Sequence, residues 1–146
     1  MNKHLICFLL LNAIFCILSG QPNDPLIKKC ISSSGTEAKY IKDFNIQLGD
    51  QYSRNEFRYK ATMSLRKSTI YRFTMCTAEN SKGQLILNIK DESDNLVISS
   101  FDPKTYTILP YVDFTCQKSG LYKIYFDFTE GKSGSGVSIV SKIQRL

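Results

Sequence analysis

The sequence predicts an all-β fold, an antiparallel β-sandwich of jelly-roll or Greek-key type with about eight strands. Apolar and polar residues alternate along most of the chain after residue 40, as they do in strands that bury one face. Short polar segments rich in Gly, Pro, Asn and Asp interrupt this alternation at fairly regular intervals. No segment of about ten residues or more has the 3.6-residue apolar period of an amphipathic helix. A closed barrel is the alternative architecture, because it also buries one face of every strand.

The first three predicted strands lie between residues 44 and 75, and the second of them is the longest. Its apolar residues alternate with polar side chains such as Arg58 and Lys60, so one face is expected to pack in the core and the other to meet water. The predicted core residues of the three strands are Phe44, Ile46 and Leu48, then Phe57, Tyr59, Ala61, Met63 and Leu65, and then Tyr71, Phe73 and Met75.

Polar turns separate the remaining predicted strands. The last turn contains Gly131-Lys132-Ser133, but Phe126 stands where a phosphate-binding loop needs its first glycine, so a hairpin turn is predicted there. The apolar residues of these strands are Leu85, Leu87 and Ile89; Leu96 to Ser100; Tyr106 to Leu109; Val112, Phe114 and Cys116; Tyr122, Ile124, Phe126 and Phe128; and Val137, Ile139 and onward to Ile143.

Residues 1–20 have the pattern of a secretory signal peptide. A short basic start precedes an apolar run at residues 5–18, which is shorter than the roughly 20 residues that span a bilayer, and small residues suit cleavage before Gln21. A retained membrane anchor and a lipoprotein acylated at Cys16 are the alternatives. No other long apolar stretch follows, so we expect no membrane span after removal of the leader, and a secreted, periplasmic or cell-surface location.

The rest of the chain is predicted to form one domain. Residues 21–39 contain two prolines, a glycine and a serine run with little apolar periodicity, and predict a loosely ordered N-terminal arm. Residues 40–146 are predicted to form a single β-sandwich domain of ordinary size.

Charge and histidine content exclude several classes of function. The chain has 19 basic and 13 acidic residues and a net charge of +6 at pH 7, but the basic residues are scattered, whereas nucleic-acid binding needs them clustered on one face. The single histidine, His4, lies in the predicted leader, so the exported chain has no imidazole for proton transfer or metal binding. We therefore expect no nucleic-acid partner and no enzyme of the usual histidine-dependent kinds.

Three cysteines follow the leader: Cys30, Cys76 and Cys116. In an oxidising compartment two of them are expected to pair. We predict a disulfide between Cys76 and Cys116, because each ends a strand-like run, while the other pairings and three buried free thiols stay open. An odd cysteine is also compatible with a structural cell-surface subunit that forms a disulfide-linked dimer. The Cys30→Ser variant would abolish that dimer.

One short turn is rich in oxygen-bearing side chains. Asp91, Asp94 and Asn95, with Glu92 between them, form a candidate calcium site, since calcium takes about six to eight oxygen ligands. Calcium is the one cofactor that the sequence suggests. The alternative is turn chemistry, because Asp and Asn form tight turns without a metal.

Tyr106 and Tyr111 lie around the bend at Pro110 and are the candidate ligand-binding residues. Tyrosine joins an apolar ring to a polar tip, and such side chains serve surfaces that bind proteins or sugars. An extracellular protein or polysaccharide is therefore the predicted partner. Core packing is the alternative explanation for these tyrosines.

A pair of carboxylates is the enzymatic alternative, because such catalysis needs no histidine. Asp113 and Asp127 lie within apolar strands, but their parity opposes that of Phe114 and Phe128, so both are expected to point to solvent or to the opposite sheet face. A secreted hydrolase of this kind would lose activity on replacement of an acid such as Asp91 or Asp113.

Residues 71–128 resemble the small β-sandwich modules of secreted bacterial proteins, especially the pre-peptidase C-terminal family. The matching elements are Tyr71-Arg72-Phe73 at the start of one strand, Leu87 to Asp91 with Asn95-Leu96 in a hairpin, and Ser119 to Ile124 after Phe114. The resemblance implies a β-sandwich with a non-catalytic accessory or binding role, and it indicates no ligand. We therefore expect an exported, non-catalytic binding protein.

Overall fold

Eight strands form two packed, four-stranded antiparallel sheets in the computed structural model, which describes residues 24–51 and 56–144. Sheet A has the spatial order β1 (Ala38–Leu48), β10 (Gly134–Ile143), β3 (Ile70–Thr77) and β8 (Tyr111–Thr115). Sheet B has the order β2 (Tyr59–Leu65), β9 (Gly120–Phe128), β4 (Leu85–Lys90) and β5 (Leu96–Ser99). A two-stranded ribbon, β6 (Phe101–Asp102) and β7 (Thr107–Ile108), lies between β5 and β8 in the chain. The predicted leader lies outside the described residues.

Strand pairing follows a nested order. β4 pairs with β5, β3 with β8, β2 with β9 and β1 with β10, as if one long hairpin were folded over on itself. Two further antiparallel pairs, β3 with β10 and β4 with β9, complete the sheets. This is the jelly-roll arrangement, so the predicted all-β sandwich is confirmed.

The core lies between the two sheets and is built from the alternating apolar residues. Phe44 of sheet A packs against Tyr59 and Phe126 of sheet B, with ring centroids 6.4 and 5.4 Å away, and so ties the layers together. Phe57 differs from its prediction, because it precedes β2 and lines a groove outside the core. The fully or nearly buried core members include Ile46, Leu65, Tyr71, Phe73, Leu85, Leu87, Ile89, Val112, Phe114, Tyr122, Ile124 and Phe128.

The predicted loose arm at residues 21–39 is wrong for its described part. Residues Pro25–Ser33 form a helix, α1, in which Asp24 caps the first turn by accepting a 2.8 Å hydrogen bond from the Leu26 backbone amide. Ile27 and Cys30 are buried against Val137 and Ile139 on the outer face of sheet A. The helix is therefore held by packing, and β10 is buried on both faces. Among the described residues no helix has the length and apolar character needed to cross a bilayer.

The longer connections gather at one end of the sandwich, which we call the loop end. Because successive strands run in opposite directions, the segments after β1, β3, β5 and β9 emerge there, and short turns occupy the other end. The loops brace one another: Asp50 accepts a bond from the Ser133 amide and pairs with Lys82, and the Gln51 amide donates to the Gly131 carbonyl. Gly131 has φ +64°, and a Cβ there would meet the Gln51 carbonyl oxygen, so a larger residue does not fit.

A buried tyrosine at the other end makes the stability of the fold depend on pH in the alkaline range. Burial raises the pKa of Tyr122 from 10.0 to about 12, and its hydroxyl donates to the Lys118 carbonyl at 2.6 Å. Because the folded pKa is the higher one, this stability is present below pH 10.0 and is lost as the pH rises towards 12.

We expect denaturant unfolding curves to show falling stability between pH 10.0 and about 12, with tyrosinate absorbance from Tyr122 appearing only near the upper limit. The Tyr122→Phe variant is the control, and its stability should fall less over the same interval. An equal fall in both proteins would mean that Tyr122 does not set the limit.

Candidate functional site

The outer face of sheet B carries a row of polar and aromatic side chains that crosses four strands. Lys60 of β2 lies opposite Tyr125 of β9, Tyr125 lies opposite Asn88 of β4, and Asn88 lies opposite Ser99 of β5. These positions alternate with core residues such as Phe126, so the strand period places all four side chains outside. The adjoining row is Thr62, Lys123, Lys90 and Leu96.

A groove of about 470 Å³ lies on this face, and we call it the sheet B groove. It is larger than the small cavity beside the turn at residues 91–95, and strands rather than loops supply most of its polar lining. Side chains on paired strands are held in position by the ladder beneath them, which suits a preorganised binding surface. The lining residues are Glu56, Phe57, Lys60, Asn88, Lys90, Asp94 and Tyr125.

Tyr125 is the central aromatic residue of the sheet B groove. The Lys90 ammonium lies 5.4 Å from its ring centroid and the Lys60 ammonium 6.0 Å away, one on each neighbouring strand. Both distances are within the range of cation–π attraction, which holds the lysine side chains near the ring. The ring is half-buried, so part of it meets solvent.

Asn88 adds a hydrogen-bond acceptor without a partner to the sheet B groove, beside Tyr125. Its Oδ1 is buried and has no hydrogen-bond partner among the described residues. A buried polar atom without a partner costs free energy, on the order of 1–3 kcal/mol, and this cost is removed when a ligand donor reaches it.

Two carboxylates at the rim of the groove are already paired. Asp94 accepts a 2.7 Å bond from the Lys123 ammonium, which lowers the pKa of Asp94 and raises that of Lys123. Glu56 lies 3.8 Å from the Lys60 ammonium, and both side chains are largely exposed. The rim is therefore polar and ion-paired.

Asp127, on the same face of β9, is buried under Arg58. The guanidinium donates to Oδ1 at 2.9 Å from Nε and 2.7 Å from Nη2, and the Arg58 amide donates to Oδ2. Arg58 also donates to the carbonyls of Gly49 and Lys132, so it links two loops to sheet B. The prediction that Asp127 points away from the core is confirmed, but Arg58 covers it.

Asp113 and Tyr111 lie on the outer face of sheet A. Arg72, opposite Asp113 on β3, donates to both Asp113 oxygens at 2.7 and 2.8 Å and to Glu37 at 2.6 Å. A backbone hydrogen bond and this bond from Arg72 lower the pKa of Glu37. The Tyr111 ring packs 4.4 Å from the same guanidinium. The charge of Asp113 is thus balanced by a bidentate ion pair with Arg72. Asp113 lies on sheet A, whereas Asp127 lies on sheet B.

Tyr106 lies at the loop end, in the turn of the β6–β7 ribbon. Its ring packs edge-on against Phe101, and its hydroxyl donates to Glu130 at 2.8 Å. Tyr106 and Glu130 both have positive φ values, 54° and 59°, a backbone conformation that bulky residues rarely adopt. Tyr106 and Tyr111 are both exposed, as a binding role requires. They contact different residues, however: Tyr106 contacts Phe101 and Glu130, and Tyr111 contacts Arg72.

The residues of the candidate calcium site do not fit a calcium ion. Asp91 accepts bonds from the Asn95 side chain, from the Asn95 amide and from the Ser93 amide, and these bonds lower the pKa of Asp91. Asp94 is turned towards Lys123 instead. No metal-binding cluster of three acid, cysteine or histidine side chains occurs within residues 24–51 and 56–144. Local turn chemistry accounts for this composition.

The predicted Cys76–Cys116 disulfide is wrong, because Cys76 is bonded to Cys30 of α1. Cys76 follows the core residue Met75 and so points to the outer face of sheet A, whereas Cys116 shares the parity of Phe114 and points into the core. Cys116 is a buried free thiol. A dimer linked through Cys30 or through the odd cysteine therefore does not agree with this arrangement.

Sequence reasoning missed Tyr125, Lys60, Lys90 and Asn88 as a group. The available signal was parity: Tyr125 falls between the core residues Ile124 and Phe126, so it had to point outwards. What the sequence did not show is that β2 and β4 flank β9 on either side.

A comparison with protein-family models finds none that matches this chain, and a comparison with curated proteins finds no significant match.

Proposed function

We propose that this chain is an exported, non-catalytic β-sandwich that binds carbohydrate through the sheet B groove. The observation that carries the proposal is the placement of the Tyr125 ring between Lys60 and Lys90, beside the unpartnered amide oxygen of Asn88. The resemblance to pre-peptidase C-terminal modules implies the same kind of accessory role.

The chemistry of the groove suits a sugar. Saccharides offer C–H faces that pack on an aromatic ring and hydroxyl groups that donate and accept hydrogen bonds. Tyr125 supplies the ring, Asn88 an acceptor, and the lysines supply donors. Three of these side chains lie on one row across β2, β9 and β4, which spans about 10 Å at a strand spacing of about 4.8 Å.

The placement of the acids supports a non-catalytic role. Hydrolysis by two carboxylates needs both to face one cleft, with one pKa raised. Asp113 is held by Arg72 on sheet A, whereas Asp91 is held within its own turn and its pKa is lowered. These two acids therefore do not share a cleft.

The Cys30–Cys76 bond supports export. Structural disulfides persist in oxidising compartments and are rare in the cytosol. A secreted, periplasmic or cell-surface location follows from the proposal, together with the predicted leader at residues 1–20.

A protein ligand is the second candidate. Leu96 and Leu121, each 55% exposed, lie on the outer face of sheet B below the groove. Exposed apolar side chains mark a protein contact where they form one patch, and these two leucines are the candidates for such a patch on this face.

Replacing Tyr125 with alanine is expected to weaken polysaccharide binding by about tenfold or more, because it removes the central ring of the site. Isothermal titration calorimetry with a panel of soluble neutral and acidic polysaccharides measures the change. Tyr111→Ala is the matched control, since it removes an exposed tyrosine beside a cation on the other sheet.

Tyr106→Ala tests the residue that sequence alone suggested at the loop end. Loss of binding in the Tyr106 or Tyr111 variant, with the Tyr125 variant unchanged, would move the site away from the groove. Binding of no polysaccharide would contradict carbohydrate as the ligand and favour the protein contact at Leu96 and Leu121.

A further inference from the structure

Resting on the function proposed above, we infer that the ligand of the sheet B groove is an acidic polysaccharide, whose carboxylate or sulfate groups are received by Lys90 and Lys60 on the two sides of Tyr125.

The strands surround Tyr125 with three lysines and with one acid that is already paired. Lys60 of β2, Lys123 of β9 and Lys90 of β4 are the lysines at outward positions next to the ring. Asp127, further along β9, is neutralised by Arg58. The face that a ligand meets is therefore cationic at its centre, which favours an anionic polymer.

The carboxylates at the rim leave one lysine outside their ion pairs, although the charge of Lys90 still acts on Asp94. Asp94 is paired with Lys123 and Glu56 with Lys60, whereas no ion pair within the described residues includes Lys90. Lys90 is held instead near the ring of Tyr125. An ammonium that is positioned by an aromatic ring and belongs to no ion pair can accept a ligand anion without first breaking one.

Asn88 requires a donor that an anionic group alone does not supply. Its unpartnered Oδ1 needs a donor, and a sugar hydroxyl is a donor whereas a carboxylate or sulfate group is not. Anionic groups for the lysines and hydroxyl groups for Asn88 occur together in acidic polysaccharides. The ring of Tyr125 adds a surface for the sugar face.

The test compares polymers that differ only in charge. Polygalacturonate is paired with its methyl ester, and dextran sulfate with dextran, so that the two pairs distinguish carboxylate from sulfate. Poly-glutamate is a polyanion without sugar rings. We expect at least one acidic polysaccharide to bind at least about tenfold more tightly than its uncharged counterpart, and to weaken as salt is added.

Lys90→Gln is expected to weaken binding to the acidic polymer by about tenfold and to leave any binding to the neutral one unchanged. Lys39→Gln is the matched control, because it removes one exposed lysine from β1 at the edge of the other sheet. Both positions are on the surface, so both variants should fold, which thermal unfolding checks.

The outcomes separate this inference from the proposed function. One outcome is that a charged polymer and its uncharged counterpart bind equally well, and that Tyr125→Ala loses this binding whereas Lys90→Gln keeps it. That outcome would overturn the inference but would still support carbohydrate binding. Poly-glutamate binding as tightly as polygalacturonate, with Tyr125→Ala unchanged, would show attraction by charge alone and overturn both. Binding of none of the five polymers would also overturn both.

Discussion

Replacing Asp127 with alanine is expected to lower the free energy of unfolding by about 3–5 kcal/mol, because it leaves the Arg58 guanidinium buried without its carboxylate. The side chains of this pair are only 12% and 10% exposed, so water cannot take the place of the lost partner at low cost. Urea unfolding followed by circular dichroism measures the change.

Glu56→Ala is the control for this prediction. It removes an ion pair with Lys60 in which the side chains are 79% and 58% exposed, so the expected change is at most about 1 kcal/mol. A double variant, Arg58→Met with Asp127→Leu, should recover most of the stability that Asp127→Ala loses, since no charge is left buried alone. Equal losses in Asp127→Ala and Glu56→Ala would mean that the Arg58 contacts contribute little to stability.

Removing the disulfide, as Cys30→Ala with Cys76→Ala, is expected to cost about 4 kcal/mol of unfolding free energy. The bond joins residues 46 positions apart, and the chain-entropy relation gives about this value for a closed loop of that length. Urea unfolding with and without reductant measures it, since reduction of the wild type should produce a similar loss.

Cys116→Ala provides the control for the disulfide, because that thiol is free and buried. This variant should keep the bond and its sensitivity to reductant. Peptide mapping without reduction should recover the peptides containing Cys30 and Cys76 joined together. A joined pair containing Cys116 would contradict the arrangement.

The strands could be predicted because their parity is a local property of the sequence. Tyr122, Ile124, Phe126 and Phe128 alternate with polar residues, and the alternation alone assigns each side chain to a face. Which strands become neighbours depends on contacts between distant parts of the chain. The sequence therefore predicted a sandwich and its strands, but not the position of β9 between β2 and β4.

The helix α1 and the Cys30–Cys76 disulfide both differ from the sequence prediction. The prolines and serines of residues 21–39 predict a loose arm, although Asp24 before Pro25 supplies a helix cap and Ile27 and Cys30 recur on one helical face. Cys76 and Cys116 end similar runs, yet their opposite parities already placed them on opposite faces of a sheet. Parity at Cys76 therefore excludes that pairing.

The candidate site could be predicted only in part from the sequence. Strand parity predicts that Tyr125 points outwards. Its role in a binding site, however, depends on Lys60, Lys90 and Asn88, which lie on the neighbouring strands β2 and β4. The sequence favours Tyr106 and Tyr111 instead, because they lie around the bend at Pro110. Binding measurements on the three tyrosine variants decide between these surfaces.

The nested strand order also determines how the chain can fold. β4 and β5 are joined by the short turn at residues 91–95 and can pair early, whereas β1 and β10 are separated by residues 49–133 and must close a long loop. β10 is nevertheless a central strand, inserted between β1 and β3 beneath α1. Sheet A therefore stays split until β10 arrives, and a chain stalled before that step presents two open strand edges to its neighbours.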